Sequence, residues 1–200
     1  MHSVIQTKTF NPPAICRNEI LRYAGCKVSD SETDTLLNSC LNELKGKLIF
    51  KVCFCELSLT LNCDDCDFEL FSLKSAKLAS NLSGCGRVIL FAATIGVEID
   101  RLIAKYGRIS PAKALMFQAI GAERIEALCD DFCDELVREY DSGLKPRFSP
   151  GYGDLPLECQ KSIFSILDCG RKLGISLNDS LLISPSKSVT AVVGICPKKD

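Results

Sequence analysis

The chain has 200 residues, with 24 lysines and arginines against 25 aspartates and glutamates, for a formal net charge of −1. That balance gives no basic surface of the kind phosphate backbones require, so nucleic acid is not an expected partner. The longest apolar run, residues 88–97, falls short of the roughly 20 residues of a membrane span, and residues 1–9 carry neither a basic n-region nor an apolar h-region, so a cytoplasmic chain without membrane contact is expected.

Residues 1–16 contain Asn11-Pro12-Pro13 and no periodicity, and read as an extended lead-in. A short amphipathic helix follows over 16–24, stopped by Gly25. Caps and carboxylates crowd Asp30 to Asp34, and Leu37, Leu41, Leu44 and Leu48 follow at helical spacing, which predicts a second helix ending near Gly46. Over 48–60 the pattern changes to alternation, with Phe50, Val52 and Phe54 on one face and Lys51, Cys53 and Cys55 on the other, the signature of a strand. The turn-like composition of residues 62–66 and the renewed alternation around Phe68 to Ser72 predict a hairpin with that strand. A short helix over 75–82 precedes the continuously apolar run 87–94, which reads as a buried strand. Residues 97–106 form another helix. Ser110-Pro111 is a start signal, with a hydroxyl cap and proline in the first turn. Leu115, Ala119, Ala122, Ile125, Cys129, Phe132 and Leu136 then keep one face apolar, so a long helix to Tyr140 is expected. Pro156 opens a further helix with Ile163, Ile166, Leu167 and Leu173 inward, ended by Gly174, and strands follow at 180–183 and 188–195.

Between the long helix and Pro156 lies the stretch with the most chemistry. Residues 141–157 hold several prolines and glycines, so the backbone is a shaped loop. At its centre Arg147-Phe148-Ser149-Pro150-Gly151-Tyr152 sets a guanidinium fork and an aromatic ring on either side of a Pro-Gly turn. That pairing suits a zwitterionic ligand: the fork for a carboxylate, main-chain amides near Pro150 and Gly151 for a flat heterocycle, the tyrosine face for a cation.

Arg-x-x-Pro-Gly-Tyr after a long helix, followed by a helix and then Pro-Ser-Lys-Ser-Val-Thr-Ala over 185–191, resembles the activation domain of vitamin B12-dependent methionine synthase, in the short stand-alone form of anaerobic bacteria. The likeness is strong over 84–200 and weak over 17–83, and implies a single activation-type domain over 1–200. It implies an α+β fold, a twisted antiparallel sheet packed against the long helix and several shorter ones. It also implies that Arg147 binds the carboxylate of S-adenosylmethionine, that Ser149, with Pro150 and Gly151, meets the adenine through the main chain, and that Tyr152 lies at the methyl-bearing end. By the same resemblance Glu126 and Asp141 stand near the sulfonium and amino groups, although Glu126 equally fits a solvated helix face with Glu123, Asp130 and Asp134. In that family a methyl from S-adenosylmethionine and one electron from a flavodoxin-like donor restore an oxidised cobalamin. The cobalamin would come from a partner, a cobalamin-binding methionine synthase polypeptide or another corrinoid methyltransferase, because this chain has one histidine, His2, and no Asp-x-His-x-x-Gly pattern. The chain departs from the longer form of the family in reading Gly-Asp-Leu-Pro-Leu after the tyrosine. A second ligand-holding tyrosine of that form would fall beyond Ile195.

The thirteen cysteines carry a competing reading. Without an export signal they are expected as reduced thiols, open to burial, metal binding or redox chemistry. Cys53, Cys55, Cys63 and Cys66 have a spacing on which a tetrahedral site could be built, whereas a Cys-x-x-Cys normally needs a second knuckle. As a solvated turn, Cys63 and Cys66 would be replaceable by serine. Cys129 and Cys133 read as core. Gly84-x-Gly86 precedes a strand where a dinucleotide fingerprint would follow one, and His2 leaves no catalytic dyad or triad.

Overall fold

The structure is a computed structural model and describes residues 4–26 and 30–196; His2 lies outside them. In chain order the elements are β1 (Gln6–Thr9), α1 (Arg17–Tyr23), α2 (Ser31–Leu44), β2 (Lys51–Ser58), β3 (Thr60–Asn62), β4 (Asp65–Asp67), β5 (Ser72–Lys74), α3 (Ala76–Asn81), β6 (Arg87–Thr94), α4 (Glu98–Tyr106), α5 (Pro111–Tyr140), β7 (Gly143–Leu144), α6 (Cys159–Leu167), α7 (Cys169–Leu173), β8 (Ser176–Leu177), β9 (Ile183–Ser184) and β10 (Ser188–Cys196). The class is α+β, as expected.

One antiparallel sheet, ordered β1-β2-β6-β10-β7, divides the molecule. β6 lies at its centre, paired with β2 from Lys51↔Thr94 to Ser58↔Arg87 and with β10 from Ser188↔Thr94 to Ile195↔Arg87. Its unbroken apolar sequence follows from cover on both faces. Ile89, Phe91 and Ala93 pack with Val52, Phe54, Ala191 and Val193 beneath α1, α2, α4 and α5. Val88, Leu90 and Ala92 pack on the opposite face with Cys53, Cys55, Leu57 and Val192 against α3, α6, α7 and the small β3-β4-β5 sheet. Phe132 of α5 anchors the first layer, with ring centroids 5.1 Å from both Phe54 and Phe91.

Several expected elements take a different form. Residues 6–9 of the lead-in pair with β2 as an edge strand. The predicted hairpin is confined to Thr60↔Asp67, Leu61↔Cys66 and Asn62↔Asp65, because β2 spends its hydrogen bonds on β1 and β6. Residues 68–71 turn back on themselves, with Glu69 at φ +69° and the Phe68 and Phe71 rings stacked at 4.8 Å. The helix after Pro156 is broken by Asp168 in the left-handed region into α6 and α7. Residues 178–182 form a turn in place of a strand, since the Asn178 side-chain oxygen accepts from the amides of Ser180 and Leu182, both at 2.9 Å. Ser110 precedes α5 without a side-chain cap, and Leu115 faces solvent.

Candidate functional site

The loop after α5 is tied down at three places. Asp141 ends the helix in the left-handed region at φ +46°. Gly143 and Leu144 pair with Cys196 and Ile195, Lys145 donates its amide to the Gly194 carbonyl at 2.9 Å, and Phe148 and Val192 exchange two backbone bonds at 3.0 and 2.9 Å. Residues 143–148 therefore run along β10 as an interrupted fifth strand. Alternation then decides the side chains: Phe148 enters the core on the α6 side of the sheet, and Arg147 points to the other side, over α5. Beyond Phe148 the Tyr152 amide donates to the Ser149 carbonyl at 3.1 Å across a turn with Pro150 second and Gly151, φ +84°, third, the arrangement of a type II turn. At the far end Asp154 accepts from the amides of Ala76 and Lys77 at the start of α3, at 2.9 and 3.3 Å.

The Arg147 fork lies across one turn of α5. Its Nη1 donates to Asp130 at 2.6 Å and its Nη2 to Glu126 at 2.8 Å, with the Cys133 Sγ 3.9 Å from Nη1. Burial works against this guanidinium's charge, yet the hydrogen bond to Asp130 and the neighbouring Cys129 and Cys133 outweigh it and raise its pKa above the ordinary arginine value. Burial likewise pushes the thiols of Cys129 and Cys133 upward, so neither is a nucleophile in waiting.

Beside the fork opens a groove of about 270 Å³ lined by Glu126, Cys129, Arg147, Ser149, Tyr152, Val189 and Ala191. Its floor is β10, one wall is α5 and the other is the loop. Four of the residues singled out in the sequence, Glu126, Arg147, Ser149 and Tyr152, meet here although 26 positions separate the first from the last. Tyr152 is 67% exposed and stands edge-on to Phe148 at 5.2 Å. Pro150, Gly151 and Asp141 do not line the groove. The Gly151 amide is committed to the Leu155 carbonyl at 2.9 Å, so it is not free to read a heterocycle as the composition of the turn implies. Asp130, read as a solvated helix position, and Val189 and Ala191, within the 185–191 motif, were given no part in the site from the sequence. The spacing of Asp130 four residues after Glu126 places both on one helix face and is the signal that could have found it.

Cys53, Cys55, Cys63 and Cys66 are not gathered into one metal-holding group. Cys53 and Cys55 lie buried on the α6 side of the sheet, where the Cys53 thiol meets that of Cys169. Cys66 is buried and Cys63 is exposed. Among the described residues no group of three or more His, Cys, Asp or Glu side chains is arranged to hold a metal ion. Nor is any helix among them long and apolar enough to cross a membrane.

No protein-family model matches the chain, and no curated protein does. A solved structure does: the crystal structure of the MetH reactivation domain bound to AdoHcy superposes with a TM-score of 0.69 at 18% identity, covering 98% of this chain and 80% of that one. This chain has the MetH reactivation domain fold. The α+β expectation, with the sheet against the long helix, is met in full.

Proposed function

We infer that this chain binds S-adenosylmethionine in the groove between α5, β10 and the 147–152 loop and presents its methyl group to a cobalamin held by another polypeptide of the methionine synthase type. The observation that carries the reading is that Arg147, Glu126, Ser149 and Tyr152 come together on one groove, in a fold whose solved neighbour was crystallised with AdoHcy. The donor set suits such a ligand. A guanidinium is at hand for a carboxylate, the Glu126 carboxylate for an ammonium or sulfonium, and the apolar Val189 and Ala191 for a flat surface.

S-Adenosylmethionine supplies an activated methyl group when bound. The work of the protein is positioning: holding the donor beside the acceptor makes an improbable encounter effectively unimolecular, and no side chain need act as acid, base or nucleophile. The corrinoid would come from the partner, since this sequence has one histidine, His2, and no Asp-x-His-x-x-Gly pattern, and the electron from a donor of the flavodoxin type.

Titration calorimetry with S-adenosylmethionine tests this. Arg147→Ala should weaken binding about ten- to a hundredfold, the loss of a charge-assisted contact of roughly 1.5 to 3 kcal/mol. Arg147→Lys should recover little of it, since an ammonium cannot form the fork. Tyr152→Phe should bind better than Tyr152→Ala if the ring face is what meets the ligand. Absence of heat with the wild-type protein, alone and with a corrinoid partner, would refute the reading.

A further inference from the structure

The guanidinium of Arg147 is shared between two carboxylates that stand on different sides of it. Glu126 lines the groove together with Arg147, Ser149 and Tyr152. Asp130 does not; it lines a neighbouring hollow with Cys133, Val137, Leu144, Lys145, Pro146 and the other side of Arg147. The Arg147 side chain is therefore the partition between two depressions, with Nη2 bonded to the acid on the groove side and Nη1 to the acid on the far side. The two contacts are close to equal in length, at 2.8 and 2.6 Å, while their access to a ligand in the groove differs.

We propose that Asp130 is the anchor of the Arg147 guanidinium and that Glu126 is the partner a ligand displaces. This rests on the groove being the ligand site. A ligand carboxylate arriving in the groove meets Nη2 and competes with Glu126 for it. Once released, Glu126 stays within the groove as a carboxylate without its cation, and the ligand's sulfonium becomes its new partner. The exchange conserves ion pairs: Glu126 to Arg147 and solvated ligand become ligand carboxylate to Arg147 and Glu126 to ligand cation. Asp130 takes no part in the swap. It holds Nη1 throughout, so the guanidinium keeps its orientation while its other nitrogen changes partner, much as an outer-shell carboxylate fixes a metal-ligating histidine. The arrangement selects ligands that carry both a carboxylate and a sulfonium, because a carboxylate ligand without the sulfonium leaves Glu126 unpaired, and a cation without a carboxylate leaves Glu126 on Arg147.

The experiment is calorimetry of wild type, Asp130→Asn, Asp130→Glu and Glu126→Gln with S-adenosylmethionine and with S-adenosylhomocysteine, which lacks the sulfonium charge. Both positions are exposed, so the variants should keep the fold, and thermal melts check it. Asp130→Asn should weaken both ligands alike, by about two- to fivefold, the range for one exposed ion pair. Asp130→Glu, which keeps the charge, should recover part of that loss. Glu126→Gln removes both the competitor and the acceptor for the ligand's cation, so it should lower the preference for S-adenosylmethionine over S-adenosylhomocysteine by a similar factor, chiefly by tightening the latter. Affinities unchanged or strengthened in Asp130→Asn overturn the anchor. An equal loss of both ligands in Glu126→Gln overturns the exchange, leaving the groove as a ligand site. Silence from every protein, wild type included, removes the ligand site and the exchange with it.

Discussion

Asp154 of the 141–157 loop and Ser75 before α3 are hydrogen-bonded side chain to side chain across 79 positions of sequence. The Ser75 hydroxyl in turn accepts from the Leu78 amide at 3.1 Å, and the Asp154 carboxylate accepts from the amides of Ala76 and Lys77. A residue well beyond the long helix α5 thus completes the N-terminus of a helix that precedes it in the chain. The loop that carries Arg147 and Tyr152 is closed at its far end by this contact.

The hydrogen bond from Ser75, with those from the Lys77 and Ala76 amides, holds the Asp154 carboxyl below the ordinary aspartate range. A depressed carboxyl contributes stability that is complete above its unfolded pKa and lost as pH falls through its folded one. Asp154→Ala should therefore melt below wild type at neutral pH, and the two curves should approach each other on acidification. Thermal melts from pH 7 down to pH 3 check this. A gap that stays constant across that range would show the carboxylate charge to be irrelevant.

Glu123 and Arg124 are adjacent on α5 and both about 3% exposed. Arg124 bonds Glu123 through both Nε and Nη2, and donates to the carbonyls of Pro13 and Ala14, each at 2.7 Å; Glu123 accepts from the Cys16 amide at 2.8 Å. Glu123 was expected on a solvated face, and it is instead the clamp for the lead-in. Arg124→Met would leave a carboxylate buried without its partner and should cost about 3 to 5 kcal/mol. The double variant Glu123→Gln, Arg124→Met should cost less than the sum of the two single changes. Urea unfolding of wild type, the two single variants and the double variant measures both quantities.

The serine replacements at Cys63 and Cys66 divide. Cys63 is exposed at φ +55°, so Cys63→Ser should change stability by no more than about half a kcal/mol. Cys66 is fully buried against the sheet, and a hydroxyl placed there without a partner should cost roughly 1 to 3 kcal/mol. Denaturant midpoints of the two single variants should separate accordingly; equal midpoints would contradict the packing described for Cys66.

Much of the architecture was legible in local patterns. The start of α2 at Asp30, whose carboxylate accepts from the Thr33 amide at 2.7 Å, follows from a single capping residue, and α5 appears at the predicted Pro111 to Tyr140. The buried strand β6 was visible as an unbroken apolar run. The Arg147 to Tyr152 motif marked the loop, because proline and glycine restrict the backbone whatever surrounds them.

Pairing was not legible, since it depends on which strands the tertiary packing sets side by side. Alternation identifies β2 but cannot say that its neighbours are β1 and β6 and not the residues that follow it. The same limit governs charge. Nothing local distinguishes Glu123, buried under the lead-in, from Glu126, which bonds Arg147, or Asp130, which bonds the same arginine from the other side. Periodicity assigns a residue to a face of its own helix. What these three meet is decided by residues 17 to 107 positions away, through hydrogen bonds and ion pairs that exist only once the chain has closed around them.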